Sequence, residues 1–236
     1  MKSMTKMTKM EVAVFCLMAV MSGCTFGISG TASLLAANLF GSAGKIVGAC
    51  LFALGIYVII TFEMKLFTGM VAGIPKMPVK DYWQLVVCFV GNMVGVAIVA
   101  LIVAGTGLGE TVIPQGQSVI EAKFELDNWA LNSFCSSILC GALITFSVWS
   151  PKYAPQKGIS ASVGVLLPII VFVFCGFDHS VANMFYFYFF GEVSGRVVAY
   201  ILLSILGNVV GGVALPLVIL LKESVGDMLG DDRFFN

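Results

Sequence analysis

The apolar runs of this chain constrain its fold before anything else does, because each is about as long as a bilayer is thick. A helix needs roughly 20 apolar residues to cross the hydrocarbon. By that measure six spans are expected, at residues 11–38, 44–61, 82–104, 129–149, 160–175 and 197–221. The second continues past a break from Gly69, and the fifth past a break from Ser180. Inside lipid every backbone polar group must be satisfied within the protein, which leaves helices and closed barrels. Runs this long with no alternation read as helices. Composition agrees: 59% of residues are hydrophobic and 11% charged, against roughly 25% charged in a soluble domain. The expectation is an all-α membrane protein forming one domain over residues 1–236, with tails at 1–10 and 222–236.

Lys and Arg set the orientation. With the N-terminus inside, the inner loops hold Lys2, Lys6, Lys9, Lys76, Lys80, Lys152, Lys157, Lys222 and Arg233. The outer loops hold Lys45, Lys123 and Arg196. Both termini are therefore expected in the cytoplasm. The Lys-rich start precedes too long an apolar stretch for a signal peptide, so it reads as a retained first span. The connection 105–128, with Pro114 and several acids, is expected to be an ordered cap or a short amphipathic segment. A formal net charge of zero argues against a nucleic-acid partner. The cysteines (Cys16, Cys24, Cys50, Cys88, Cys135, Cys140 and Cys175) all fall in apolar runs without CxxC spacing or a neighbouring His. They read as small buried hydrophobes, and neither metal nor cofactor is expected.

Two interruptions stand out. Gly176-Phe177-Asp178-His179-Ser180-Val181-Ala182-Asn183 holds the only histidine of the chain and breaks the fifth run. Phe62-Glu63-Met64-Lys65-Leu66-Phe67-Thr68-Gly69 breaks the second. Ionisable residues at membrane depth are costly and mark functional sites. Broken segments in corresponding places of two half-chains point to a midplane binding site. Thr68 and the freed amides before a helix restarting near Gly69 would offer donors to an anion, and His179 is the central candidate. Asp178 reads as structural, accepting backbone donors or a cation.

The halves repeat. Gly91-Asn92-Met93-Val94-Gly95 in the third span matches Gly207-Asn208-Val209-Val210-Gly211 in the sixth, each after a broken span. Spans entering from inside in the first half and from outside in the second give inverted repeats, about 11–104 and 129–221. Such elements serve either close helix packing or tethering of the broken segments through Asn92 and Asn208.

This arrangement resembles the formate–nitrite transporter family over essentially the whole chain. The stretch 176–185 is close to that family's fifth-span signature, with Asp178 where the family usually has Glu. Leu66-Phe67-Thr68 resembles its second-span loop, and Val148-Trp149 its fourth-span ending. The resemblance implies an aquaporin-like six-helix protomer with broken second and fifth helices, in a homopentamer with a pore in each protomer. It implies passage of small monovalent anions or their acids, such as formate, nitrite, acetate, lactate or hydrosulfide, coupled to protons, across the inner membrane. Position by position, His179 would be the pore histidine, Thr68 its loop partner and Asn183 its support. Phe52, Ile56 and Leu66 would form the cytoplasmic constriction, and Phe67, Ile144 and Phe172 the outer one. From the residues alone these six read as ordinary packing.

The chain departs from the family in its charges. Lys65 stands where an acid is usual, Met7 where an N-terminal vestibule lysine is usual, and a gapless alignment puts Glu125 at a second vestibule lysine. A register two residues different supplies Lys123 instead. The exchange suggests that Lys65 and Glu125 pair in the outer vestibule. Rival readings are a neutral-solute channel, a purely structural membrane protein, and an intramembrane enzyme using Asp178 and His179. The last lacks a second His and a nucleophile motif.

Overall fold

Thr8 opens the first helix. Its hydroxyl accepts from the Glu11 amide, and the Glu11 carboxylate accepts from the Thr8 amide, so both ends of a capping box are closed. The computed structural model describes residues 7–191 and 193–229, and all regular secondary structure among them is helical. The helices are α1 (Lys9–Leu39), α2 (Gly44–Thr61), α3 (Phe67–Val71), α4 (Trp83–Ala104), α5 (Gly109–Phe124), α6 (Trp129–Tyr153), α7 (Ala161–Cys175), α8 (Ser180–Phe190) and α9 (Gly195–Leu229). Among these residues five helices are long and apolar enough to cross a membrane; α7 with α8, bent by 44° at their break, counts as a sixth when the pair is taken as one span. Lys2, Lys6 and residues 230–236, including Arg233, lie outside the described residues.

The chain has two ends. At the basal end, Met7 and Met10 of the α1 start share a cavity with Thr61 and Phe62 of the α2 end. Near it Lys76, before α4, pairs with Glu223, late in α9, at 2.9 Å. At the distal end, Arg196 at the α9 start donates to the Phe124 carbonyl at the α5 end. The connection 105–128 is thus mostly a helix, α5, despite Pro114. It lies on α8, and the Gln117 amide donates to the Phe189 carbonyl at 2.8 Å.

Both interruptions exist, and they differ. α7 ends on Gly176, whose φ of 74° is the left-handed cap that glycine adopts without a Cβ clash. Residues 177–179 are non-helical, with His179 extended, before α8 begins. The first interruption lies within the expected stretch, and only its end differs. α2 stops at Thr61, Glu63 takes a φ of 52°, and the helix resumes at Phe67 rather than near Gly69. At 18 residues α2 needs no continuation to span, and α3, at five, is too short to supply the expected dipole.

The Gly-Asn elements lie where α4 meets α1 and where α9 meets α6. A Cβ on Gly95 would sit 2.1 Å from the Val20 carbonyl, and one on Gly211 would sit 1.9 Å from the Ile138 carbonyl. Both would strike backbone, which cannot rotate away. The Asn side chains tether as well. Asn92 accepts from the Phe67 amide at 2.8 Å and donates to the Ala19 and Lys65 carbonyls, each at 2.8 Å. Asn208 accepts from the Ser180 amide at 2.9 Å and donates to the Ser137 and Asp178 carbonyls at 2.9 and 3.0 Å. Close packing and tethering therefore occur together.

Gly211→Ala is expected to abolish recovery of monodisperse protein in detergent. Gly107→Ala, where an added Cβ meets nothing within 4 Å, should leave the yield unchanged. Size-exclusion profiles of the two variants check this.

Candidate functional site

His179 is where the tethered breaks meet. As the residue before α8, its ring Nδ1 accepts from the Val181 and Ala182 amides at 3.2 and 3.4 Å. A neutral imidazole accepting at Nδ1 carries its hydrogen on Nε2. That Nε2 faces the Thr68 hydroxyl at 2.8 Å, so each break contributes one side of the contact. His179 is 1% exposed. Its ring lies 4.7 Å from Phe26 and 5.8 Å, stacked, from Phe172. Among these rings the Nε2–H and the Thr68 hydroxyl form a polar contact on an otherwise apolar surface.

Asp178 points the other way. Its carboxylate pairs with Lys123 of α5 and accepts from the Tyr200 hydroxyl at 2.9 Å and the Asn183 amide at 3.0 Å. Its own amide donates to the Ser136 hydroxyl at 2.9 Å. A buried carboxylate needs this many partners, because each unfilled lone pair would add to the desolvation cost. Asn183 does not support the histidine ring as expected. Its side-chain amide donates to Asp178 and to Ser204 Oγ, the latter at 3.0 Å.

Cavities flank the centre. A distal one of about 190 Å³ is lined by Phe52, Phe172, Asn183, Gln115, Lys123 and Lys45, among others. Its floor is aromatic: Phe52 meets Phe172 edge-on at 6.0 Å and Phe26 edge-on at 4.8 Å. A basal one of about 350 Å³ is lined by Ile56, Leu66, Lys65, Glu63, Val148 and Pro151, among others. Phe52 lines the distal cavity with Phe172, Ile56 and Leu66 line the basal one, and all four share one buried cluster with Ile144. Phe67 instead packs edge-on against Phe89 at 5.2 Å, in a separate cluster with Phe15 and Val71.

The expected Lys65–Glu125 pair does not form. Glu125 caps α5 at the distal end, just before α6 begins. Lys65 shares its cavity with Pro151, near the other end of α6. The rise from Trp129 to Pro151 is about 33 Å at 1.5 Å per residue. The lysine beside the signature is Lys123, as the shifted register supplies. Phe26 and Tyr200 carry no signal of a site role in the sequence pattern around the two breaks. The spacing of small residues around Phe26 (Gly23, Gly27, Gly30) is the signal that α1 lies close to other elements there.

Removing one member of a buried pair strands the other charge. Asp178→Ala is expected to cost about 3 kcal/mol, read as a lowered unfolding midpoint in detergent. Replacing both partners, Asp178→Leu with Lys123→Met, should recover most of that loss.

A sequence profile described as Formate/nitrite transporter matches residues 1–221. The uncharacterized transporter YrhG of Bacillus subtilis (strain 168) is 29% identical over 187 residues, covering 73% of this chain and 69% of that protein. Formate channel FocA of Escherichia coli (strain K12) is 29% identical over 154 residues, which cover 62% of this chain and only 53% of FocA. Among solved structures, a pentameric formate channel with formate bound superposes with a TM-score of 0.77 at 19% identity, over 93% of this chain and all (100%) of that one. An FNT family ion channel gives 0.71 at 23% identity, over 86% and 87%. The structural likenesses carry the fold, and the profile carries the family. With residues 1–221 matched, the chain belongs to the formate/nitrite transporter family.

Proposed function

We propose that this chain is a proton-coupled channel or transporter for small monovalent anions or their acids, with formate first among them. The observation that carries the reading is the Thr68–His179 contact between two cavities, closed off by aromatic residues on one side and aliphatic residues on the other. Membership in a transporter family sets aside the intramembrane enzyme. The homopentamer, with a pore in each protomer, is carried over from the structural neighbour, which is itself pentameric. The two halves act as inverted repeats, and the basal face, where Lys76, Lys80 and Lys152 lie, is cytoplasmic.

The mechanism follows from desolvation. A bare anion between the Phe52–Phe172 and Ile56–Leu66 constrictions has lost its water and costs several kcal/mol or more. The neutral acid costs far less. The His179 Nε2–H is the one donor held fixed at the centre, and an arriving oxyanion takes the place of the Thr68 oxygen on it. The Thr68 hydroxyl then turns to donate to the same ligand. A proton arriving from the aqueous side converts the anion to the acid, which crosses the second constriction, while the His179 Nε2–H stays in place as a hydrogen-bond donor. Lys123, already paired with Asp178, sets the distal approach. Lys65 is the cation of the basal approach, beside Glu63.

The test is flux in proteoliposomes. Wild-type protein should accelerate formate entry, and nitrite, lactate, acetate and hydrosulfide should compete to different degrees at two pH values. Formate that neither moves nor competes with solute flux would favour a neutral-solute channel. His179→Asn retains a side-chain acceptor able to cap α8 but removes the ring donor. It should fold and lose most transport, as should His179→Phe if it folds. Normal formate flux in the folded Asn variant overturns the assignment. Phe172→Ala should raise leak of solutes that wild-type protein rejects, and unchanged selectivity would reduce the Phe52–Phe172 contact to packing.

A further inference from the structure

The distal cavity carries a second cation that the central chemistry does not use. Among its described lining residues are two ammonium groups, Lys45 and Lys123, and no carboxylate. They are not equivalent. Lys123 gives its charge to Asp178, which lies behind the lining. Lys45, in the first turn of α2, has no carboxylate within ion-pair distance among the described residues. Its ammonium stands over the Phe174 ring, 5.6 Å from the centroid. An aromatic face positions a cation without neutralising it. Gln115 lines the same cavity from α5, and its amide makes no hydrogen bond among the described residues. The cavity therefore begins at an uncompensated positive charge with a free amide donor, and ends at the Phe52–Phe172 contact.

We infer that Lys45, with Gln115, forms an outer docking station for a small monovalent oxyanion, one step before Lys123. The inference rests on the transport reading above. An exposed mouth charge inside a low-dielectric funnel raises local anion concentration rather than the rate of crossing. Its signature is an altered half-saturation that depends on salt, with maximal flux preserved. Lys45 is exposed, so its substitution disturbs no packing. The alternative, that Lys45 only snorkels toward lipid headgroups, predicts no change in half-saturation.

The experiment uses formate uptake into right-side-out membrane vesicles, which present the distal face under the proposed orientation. At low ionic strength, about 0.01 M, where the Debye length is about 30 Å, Lys45→Gln should raise the half-saturating formate concentration on the order of 3–10-fold. Maximal uptake should stay at the wild-type level, and Lys45→Arg should behave as wild type. At about 0.3 M, where screening shortens the reach below about 10 Å, the difference should shrink toward none. Gln115→Leu should raise half-saturation independently of salt. Equal half-saturation for wild type and Lys45→Gln at both ionic strengths overturns the docking station while leaving the transport reading intact. Loss of maximal uptake at unchanged half-saturation overturns it too, as a structural effect. A wild-type protein that carries no formate overturns both.

Discussion

Two buried asparagines make non-helical backbone possible at membrane depth in this protein. Lipid offers no water to an unpaired amide, so each break must find its partners in the neighbouring helices. Asn92 and Asn208 supply them in the same pattern. Each accepts from the first amide after a break and donates to the carbonyl two residues earlier, Phe67 and Lys65 in one half, Ser180 and Asp178 in the other. Each also donates to a carbonyl of the helix packed beside it, Ala19 or Ser137. The close approach enforced by Gly95 and Gly211 brings those carbonyls within reach. Glycine spacing, asparagine placement and broken helices are one device used twice.

The device is symmetric, and the chemistry placed on it is not. By that correspondence Leu66 in the first half occupies the place of His179 in the second. Only the second break carries the imidazole, and its Nδ1 is consumed in capping α8. The first break answers with Thr68, two residues further along. Lys65 and Asp178 likewise correspond, and they face opposite ends of the molecule. Asp178 is compensated by Lys123, Tyr200 and Asn183. A carboxylate one methylene shorter than the family's usual Glu sits closer to its own backbone, so its cation must come to it. α5 brings Lys123 to that point, which makes this short helix part of the site rather than a cap over it.

Span positions and types were legible because apolar length is a one-dimensional property. The second span, Gly44–Thr61, and the start of the fourth at Trp129 coincide with α2 and α6. The signature around His179 was legible because a lone histidine in an apolar run has few innocent explanations. Depth was not legible. Phe52, Phe67 and Ile144 could not be assigned to a side of the centre, because hydropathy does not say how far along the membrane normal a residue lies or which way its side chain turns. The end of α2 fell where expected, and only the restart, at Phe67 rather than near Gly69, was placed late. The left-handed turn falls on Glu63, a residue type that does not announce a positive φ. Lys123 was obscured by a two-residue register in a segment whose Pro114 and polar residues weaken any helical pattern.

Under the proposed function, the placement of charge is what lets an apolar centre serve anions from both sides. The distal approach holds its fixed positive charge in graded form. Lys45 is uncompensated at the mouth, and Lys123 is compensated further in. Between the two cavities, the polar groups that meet at the centre are the Nε2–H of His179 and the Thr68 hydroxyl, neither of them charged. A full positive charge at that depth would hold an anion too well to release it, since attraction between unit charges strengthens steeply as the dielectric falls. A neutral imidazole with one nitrogen fixed as an acceptor cannot do that. An imidazolium here would set an Nδ1–H against the amides of Val181 and Ala182 that now donate to it. The cap that starts α8 therefore also keeps the central ligand a hydrogen-bond donor rather than a trap, and fold and selectivity share a single nitrogen.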